Sequence, residues 1–403
     1  MEDGERRAMK APAFDVVVVG AGVAGSSVAY HCARRGLRVC MVEREGLGGR
    51  TTSASAGLIL VQSRVPGPAL DFALANIELL ARYREELGGD IDYVRCGGLV
   101  LAEDETELAL LREFVGRQSQ HVPLELLEEA DVRRLEPNIA PGPLGASYCA
   151  LDGYANPMGV SIAFTRGARA LGADIRLRTE VLAIERAGDR VTGVQSSAGP
   201  IAADAVVDAA GVWSPEIARM AGVDVPLVPR KGQLLVSEPL PTLFHAVLNH
   251  AGLIPFKDHG ITFATIADEL QKKRYMKQSS GGFFAGRVYV GSTSEFVGFD
   301  RGNTWPGVTE LARYAVETVP ALARARLVRA WAGLRPRTSD GKFLIGPAPG
   351  VDGFWLATGH DSNGVLHSSA TGHLLAEWIA TGLRPPLLAQ FDPARLQPEA
   401  VRS

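Results

Sequence analysis

Cysteine is scarce in this chain, and the four that occur (Cys32, Cys40, Cys96 and Cys149) are scattered. No Cys-x-x-Cys pair is present, which argues against an iron–sulfur cluster or a structural zinc, and no residue is assigned to a metal. The same scarcity fits a reducing compartment rather than a disulfide scaffold. Long apolar runs are missing too: none reaches the length needed to cross a bilayer. The first twelve residues carry charges of both signs, without the apolar segment or cleavage site of a secretory signal. These absences lead us to expect a cytoplasmic protein with no transmembrane segment. An excess of charge of one sign is also lacking. Forty-two Lys and Arg against 45 Asp and Glu leave a formal charge of −3, so nothing draws nucleic acid or an anionic membrane to this surface.

Glycine, by contrast, is abundant, with 45 residues placed at turns and motifs rather than in a low-complexity tract. At 403 residues the chain exceeds a usual single core, so two domains are expected. The motif Gly20-Ala21-Gly22-Val23-Ala24-Gly25 directly follows the apolar run Phe14–Val19 and opens a helical pattern over 24–35 that Gly36 ends. A second strand follows over 38–43. In such a βαβ unit the first glycine permits a tight turn, the second lets a pyrophosphate approach the backbone, and the third lets helix and strand pack closely. The helix N-terminus supplies N–H groups and partial positive charge. Glu43 ends the second strand 18 residues after Gly25, where an acid reaches ribose hydroxyls.

Both nicotinamide and flavin dinucleotides use this fingerprint. The loop from Gly48 to Leu58 (Gly-Gly-Arg-Thr-Thr-Ser-Ala-Ser-Ala-Gly-Leu) favours the flavin, because small residues with hydroxyls and backbone amides let a planar ring lie against them. Near the other end, Gly359-His360-Asp361-Ser362-Asn363-Gly364 precedes a helical pattern that can place its N-terminus against the ring. Between these motifs, periodicity predicts helices over 71–87, 105–118, 161–171 and 309–318. Strands are predicted over 174–179, 181–186 and 204–209. Short alternating strands at 232–237, 261–265, 274–278 and 287–292 read as an antiparallel sheet of a second domain.

These segments, with Val207-Asp208-Ala209-Ala210-Gly211-Val212-Trp213-Ser214 and Trp331-Ala332-Gly333-Leu334-Arg335-Pro336, resemble the D-amino acid oxidase family of FAD flavoproteins, most closely its glycine oxidase-like branch. The resemblance spans nearly the whole chain. It implies an α/β fold in which a discontinuous Rossmann-like FAD domain (14–85, 150–224 and 330–385) joins an antiparallel-sheet substrate domain (86–149 and 225–329), with terminal arms 1–12 and 386–403. It implies cofactor contacts from Gly20, Gly22, Val23, Ala24 and Gly25, from Glu43 and Arg44 at the adenosine ribose, and from Arg50, Thr51 and Thr52 near the pyrophosphate. Ala56, Gly57 and Leu58 would line the flavin, and Val181 would hold adenine through its backbone. Ala210, Gly211, Trp213, Gly333, Gly359, His360, Ser362, Asn363, Gly364 and Val365 complete the implied FAD set. Some relatives attach flavin to a cysteine after the Trp331-like segment; residues 333–346 contain none, so non-covalent FAD is expected.

The resemblance places Arg335 on the substrate carboxylate, a pairing that suits the guanidinium fork. The other reading makes it a loop arginine paired with Asp340. Ser362 stands where relatives often carry arginine. Asp361 is a candidate for contacting an amine, or a solvated loop acid, and His367 reads as a polar helix-face residue. Tyr275 and Lys277 share one face of a predicted strand, where they could meet substrate or simply form an exposed sheet face. The expected activity is FAD-dependent oxidation of a small amine or amino acid: hydride leaves Cα for flavin N5, and the imine is hydrolysed. O₂ is the expected acceptor, giving H₂O₂. The alternative is the FAD subunit of a heteromeric amino-acid, hydroxyproline or opine dehydrogenase that passes electrons to partner subunits or a quinone. A flavoprotein that only carries electrons is the third reading, and a homo-oligomer is possible in each case.

Overall fold

The computed structural model describes residues 14–64, 66–88, 91–253, 280–284 and 286–396. The βαβ start is as expected, with strands Phe14–Val19 and Val39–Glu43 flanking the helix Val23–Arg34. Strand Phe14–Val19 pairs in parallel with Val39–Glu43 on one side and Gly199–Asp208 on the other. The sheet continues outward to Asp174–Leu177 at one edge and through Phe354–Thr358 to Leu344–Pro347 at the other. An antiparallel hairpin, Val181–Ala187 and Arg190–Ser196, leans on Gly199–Asp208.

This sheet is buried on both faces, which is why its strands read as continuous apolar runs. Val16 and Val18 enter a core shared with helices Val23–Arg34, Pro68–Leu87, Pro157–Ala170 and Gly364–Thr381. Val17 and Val19 point the other way, into a core with Ile184, Val194 and Ala218. Helix crossings on the first face are tight: a Cβ on Gly372 would lie 2.2 Å from Ser27 Oγ.

The second eight-stranded sheet runs in the order Leu327–Thr338, Leu227–Ser237, Arg287–Gly291, Ser280–Phe284, Val247–His250, Gly98–Ala102, Gly145–Cys149 and Leu124–Glu128. It is antiparallel except where Val247–His250 pairs in parallel with Gly98–Ala102. Two strands are longer than sequence patterning indicates. Leu227–Ser237 and Leu327–Thr338 pair over their whole lengths, with Pro229 opposite Pro336. The expected domain division at 329/330 therefore falls inside a strand. The predicted strands 261–265 and 274–278 lie outside the described residues, and with them Tyr275 and Lys277.

Side-chain alternation then decides which face of this sheet does what. Leu235, Leu248 and Val290 enter a core with Val132 and Leu311 from the helices behind. Their neighbours Leu234, Asn249 and Gly291 line a cavity on the opposite face, against the parallel-sheet layer.

Candidate active site

Two connected cavities run between the layers. The smaller, about 170 Å³, is lined by Gly20, Gly22, Val23, Ala24, Glu43, Arg44, Arg50, Val181, Ala210, Gly211, Trp213 and His360, among others. The larger, about 530 Å³, is lined by Ala56, Gly57, Leu58, Gly333, Arg335, Ser362, Asn363 and Val365. Val23, Thr51, Thr52, Asp361 and Gly364 line both. One elongated site thus gathers nearly every residue expected to hold FAD.

The glycine motif shows why its residues are needed. Gly20 has φ 105°, and a Cβ on Gly25 would lie 1.9 Å from the Gly20 carbonyl oxygen, so only glycine lets the helix start against the strand. Gly25 itself lines neither cavity; its part is packing. The first N–H groups of a helix lack intrahelical partners, and this helix points them into the smaller cavity. Thr52 Oγ1 already accepts from Val23 N at 3.1 Å, and Thr51 Oγ1 donates to Leu334 O at 2.8 Å. Both threonines therefore fasten the loop as well as lining the junction of the cavities.

Glu43 is aimed by two backbone amides, Ala21 N to Oε2 at 3.0 Å and Glu45 N to Oε1 at 2.8 Å. Burial raises its pKa, against the Ala21 amide, Arg44 and Arg50. Each oxygen keeps a second lone pair for a ribose hydroxyl. Arg44 lies over the Trp213 ring at 4.5 Å and Arg50 at 5.5 Å. Arg50 also pairs with Glu45. At the far end, a Cβ on Gly364 would meet only Val23 Cγ2 within 4 Å, at 3.7 Å, which leaves the start of the C-terminal helix open to close approach. The donor set and this glycine cradle fit a flavin dinucleotide.

Arg335 stands in the middle of strand Leu327–Thr338 rather than on a loop. It pairs across the sheet with Arg230, as Gly333 does with Gly232. Its guanidinium lies over Gly232, where a Cβ would come within 2.1 Å of Nη2. Nη1 donates to Thr293 O at 3.2 Å, and Nη2 donates to Ser292 Oγ. Asp340 is not its partner: that carboxylate accepts from Arg395 Nε at 2.7 Å.

Asp361 is not a solvated loop acid, and its carboxylate is already paired with arginines. It is buried, with φ 48°, and accepts from Arg230 Nε (3.0 Å) and Nη2 (2.7 and 2.8 Å) and from Arg337 Nη1 (3.1 Å). Burial works against its ionisation, but Arg230, Arg337 and Arg335 outweigh it and hold the carboxyl below its usual range. His360 is buried against Phe343 and shares a hydrogen bond of 2.9 Å with Thr371 Oγ1; burial lowers its pKa to about 4. Gly359 lines neither cavity. It packs instead, since a Cβ there would sit 2.7 Å from Thr338 Cγ2.

Two groups in the larger cavity escaped sequence reasoning, Arg230 and Arg64, and a third, His367, was read differently. Arg230 carries no local signal, because only strand register places it beside Arg335. His367 sits on a buried helix face, stacked on Phe72 at 5.4 Å, rather than on a polar one. Among the described residues no cluster of His, Cys, Asp or Glu can hold a metal, and no helix is long and apolar enough to cross a membrane.

The chain is similar to known proteins over almost its entire length. It is 33% identical to the glycine oxidase of Bacillus licheniformis, over 91% of this chain and 93% of that protein. It is 30% identical to the hydrogen cyanide synthase subunit HcnC of Pseudomonas protegens, over 96% and 99%. The crystal structure of glycine oxidase from Geobacillus kaustophilus superposes with a TM-score of 0.84 at 28% identity, covering 96% of this chain and 99% of that one. The family model described as DAO, FAD dependent oxidoreductase, matches residues 15–378. With the dinucleotide cradle, the flavin-facing helix and Arg335 in one continuous site, the chain belongs to the DAO family of FAD-dependent oxidoreductases.

Proposed function

We propose that the protein oxidises the C–N bond of a small amino acid, that Arg335 binds the substrate carboxylate, and that O₂ is the acceptor, giving H₂O₂. The observation that carries this reading is the strand Leu327–Thr338. Its Leu334 carbonyl and Trp331 indole fasten the flavin loop through Thr51 and Ala54, while Arg335 opens from the same strand into the cavity. Cofactor cradle and carboxylate anchor are thus fixed to one rigid element.

When bound, FAD supplies the hydride acceptor. The chain's residues do the rest by position. Ser292 and Thr293 orient the Arg335 fork, and a carboxylate seated on it fixes the direction of the α-carbon. The C-terminal helix starting at Gly364 presents its N-terminus at the junction of the two cavities, and its amides would stabilise the negative charge that a bound flavin gains on reduction. No cysteine lies in 333–346, which supports non-covalent FAD. The two sheets correspond, in this reading, to a FAD-binding and a substrate-binding unit. Cys32, Cys40, Cys96 and Cys149 are all free thiols, which supports a reducing, cytoplasmic setting.

A second reading, a subunit passing electrons to partner proteins, is favoured by the similarity to HcnC and by exposed apolar side chains. Phe296 lines the cavity, and the segment after it exposes Val297, Phe299 and Trp305, the last 84% exposed. The test is to mix the holoenzyme anaerobically with amino acids, N-methyl amino acids and opines, follow flavin bleaching, then admit air. Bleaching by an amino acid with recovery in seconds is the expected result. Bleaching with recovery over many minutes favours the partner-subunit reading, and bleaching by dithionite alone removes both.

A further inference from the structure

Among the described residues no carboxylate forms an ion pair with Arg64, although Asp152 and Asp361 lie near enough to favour its charge. This arginine follows the flavin loop and lines the same cavity as Arg335. Its Nη2 donates to Ser63 Oγ at 2.9 Å, but its Nε is shut off from solvent with no partner, and no carboxylate pairs with it among the described residues. The nearby acid Asp152 is committed elsewhere, accepting from Val61 N, Gln62 N and Gln62 Nε2. Burial lowers the pKa of Arg64 to about 10, so the side chain stays charged at neutral pH. A partly buried charge without an ion pair is costly, and an unmade buried hydrogen bond adds to that cost.

Two further residues of this cavity, His367 and Gln390, each hold a polar atom that is buried without a hydrogen bond. His367 Nδ1 lies 3.0 Å from Asn363 O and donates to it, the Ala69 backbone also lies against the ring, and Nε2 is buried without a hydrogen bond of good geometry. Burial and the charge of Arg64 keep that imidazole neutral. Gln390 Nε2 is likewise buried with no partner. A guanidinium that no carboxylate pairs with among the described residues, lining the cavity that Arg335 also lines, describes a polar subsite rather than a structural strut.

We infer that Arg64 receives a second acidic group of the substrate, so that the site takes an amino acid bearing two carboxylates. This rests on the reading of Arg335 as the anchor of the α-carboxylate.

The test uses the oxidised holoenzyme, titrated with acetate, malonate, succinate and glutarate while flavin absorbance is followed. The best dicarboxylate is expected to bind at least tenfold more tightly than acetate. Arg64→Met is expected to bring that ratio close to one, and Arg64→Lys to restore part of it. Equal binding of acetate and the dicarboxylates by the unmodified enzyme overturns the inference, as does a ratio that persists in R64M. Should R64M fail to hold FAD, the unmodified enzyme and R64K decide the matter. If instead acetate affinity is unaffected by Arg335→Lys, or no acid perturbs the flavin, the Arg335 anchor fails first and the inference with it.

Discussion

Asp361 determines how three arginines share one wall of the cavity. Arg230 and Arg335 face each other across neighbouring strands and Arg337 stands beside them, an arrangement of like charges that is destabilising without an intervening acid. Asp361 spends its carboxylate on Arg230 and Arg337, and Arg335 turns to Ser292 and Thr293. Its pKa lies below the ordinary 3.8, so its contribution to stability is present above that value and is lost as acid protonates the folded state. Asp361→Asn is expected to cost about 3 kcal/mol in urea unfolding, since it strands two poorly solvated arginines. Arg335→Lys is expected to raise KM for a carboxylated substrate at least tenfold, about 1.4 kcal/mol, with bound flavin unchanged. An unaltered KM removes Arg335 from the substrate site.

At the scale of elements, two glycines make contrasting predictions. The Cβ of Gly25→Ala collides with backbone, the Gly20 carbonyl, which has nowhere to go. That variant is expected to lose FAD and fold poorly, as read by flavin content and circular dichroism. The Cβ of Gly232→Ala collides instead with the Arg335 guanidinium, a movable group. The G232A enzyme should therefore keep its flavin and its Tm within a few degrees, while KM rises in the direction expected for R335K.

Much of the fold was legible because glycine motifs and apolar runs act locally, and helix 105–118 was read to the residue. The missed helix starts share one cause. Three helices begin earlier than periodicity indicates, at Pro68, Pro157 and Trp305, each with a proline in the first turn. Asn156 and Thr304 cap two of them, accepting from Gly159 N at 3.1 Å and Gly307 N at 3.3 Å. Proline reads as a breaker, yet it is favoured where the N–H has no partner anyway. The long strand Leu327–Thr338 was hidden by Pro336 in the same way. In the site, the residues lining the cradle were legible while Arg64, Arg230 and the pairing of Asp361 with arginines were not. Those depend on register between strands far apart in sequence, which no local pattern encodes.

At the scale of the whole molecule, buried histidines tie the helical layer together and expose it to acid. His31 lies among four packed helices, with Nε2 2.8 Å from Tyr83 Oη and Nδ1 2.7 Å from Ser27 O; burial lowers its pKa to about 3. His360 is lowered to about 4. Both are neutral when folded and take up protons once unfolded. The stability they represent is whole above pH 6.5 and drains away as pH falls toward 3–4, by about 1.4 kcal/mol per pH unit for each. The urea midpoint is expected to fall between pH 6.5 and 4.5, and His31→Gln to flatten that slope. A midpoint insensitive to pH over this range contradicts the assignment.

The strand Leu327–Thr338 reaches further than positioning. It holds the flavin loop through Thr51 and Ala54 and carries Arg335 next to Leu334, which makes the first of those contacts. Two ligands that order one element must help each other, and thermodynamic reciprocity fixes the size of that help. Whatever factor FAD adds to the affinity for an acid, the acid adds to the affinity for FAD. A carboxylic acid in the buffer should thus slow the escape of FAD during dialysis and speed the reconstitution of stripped protein.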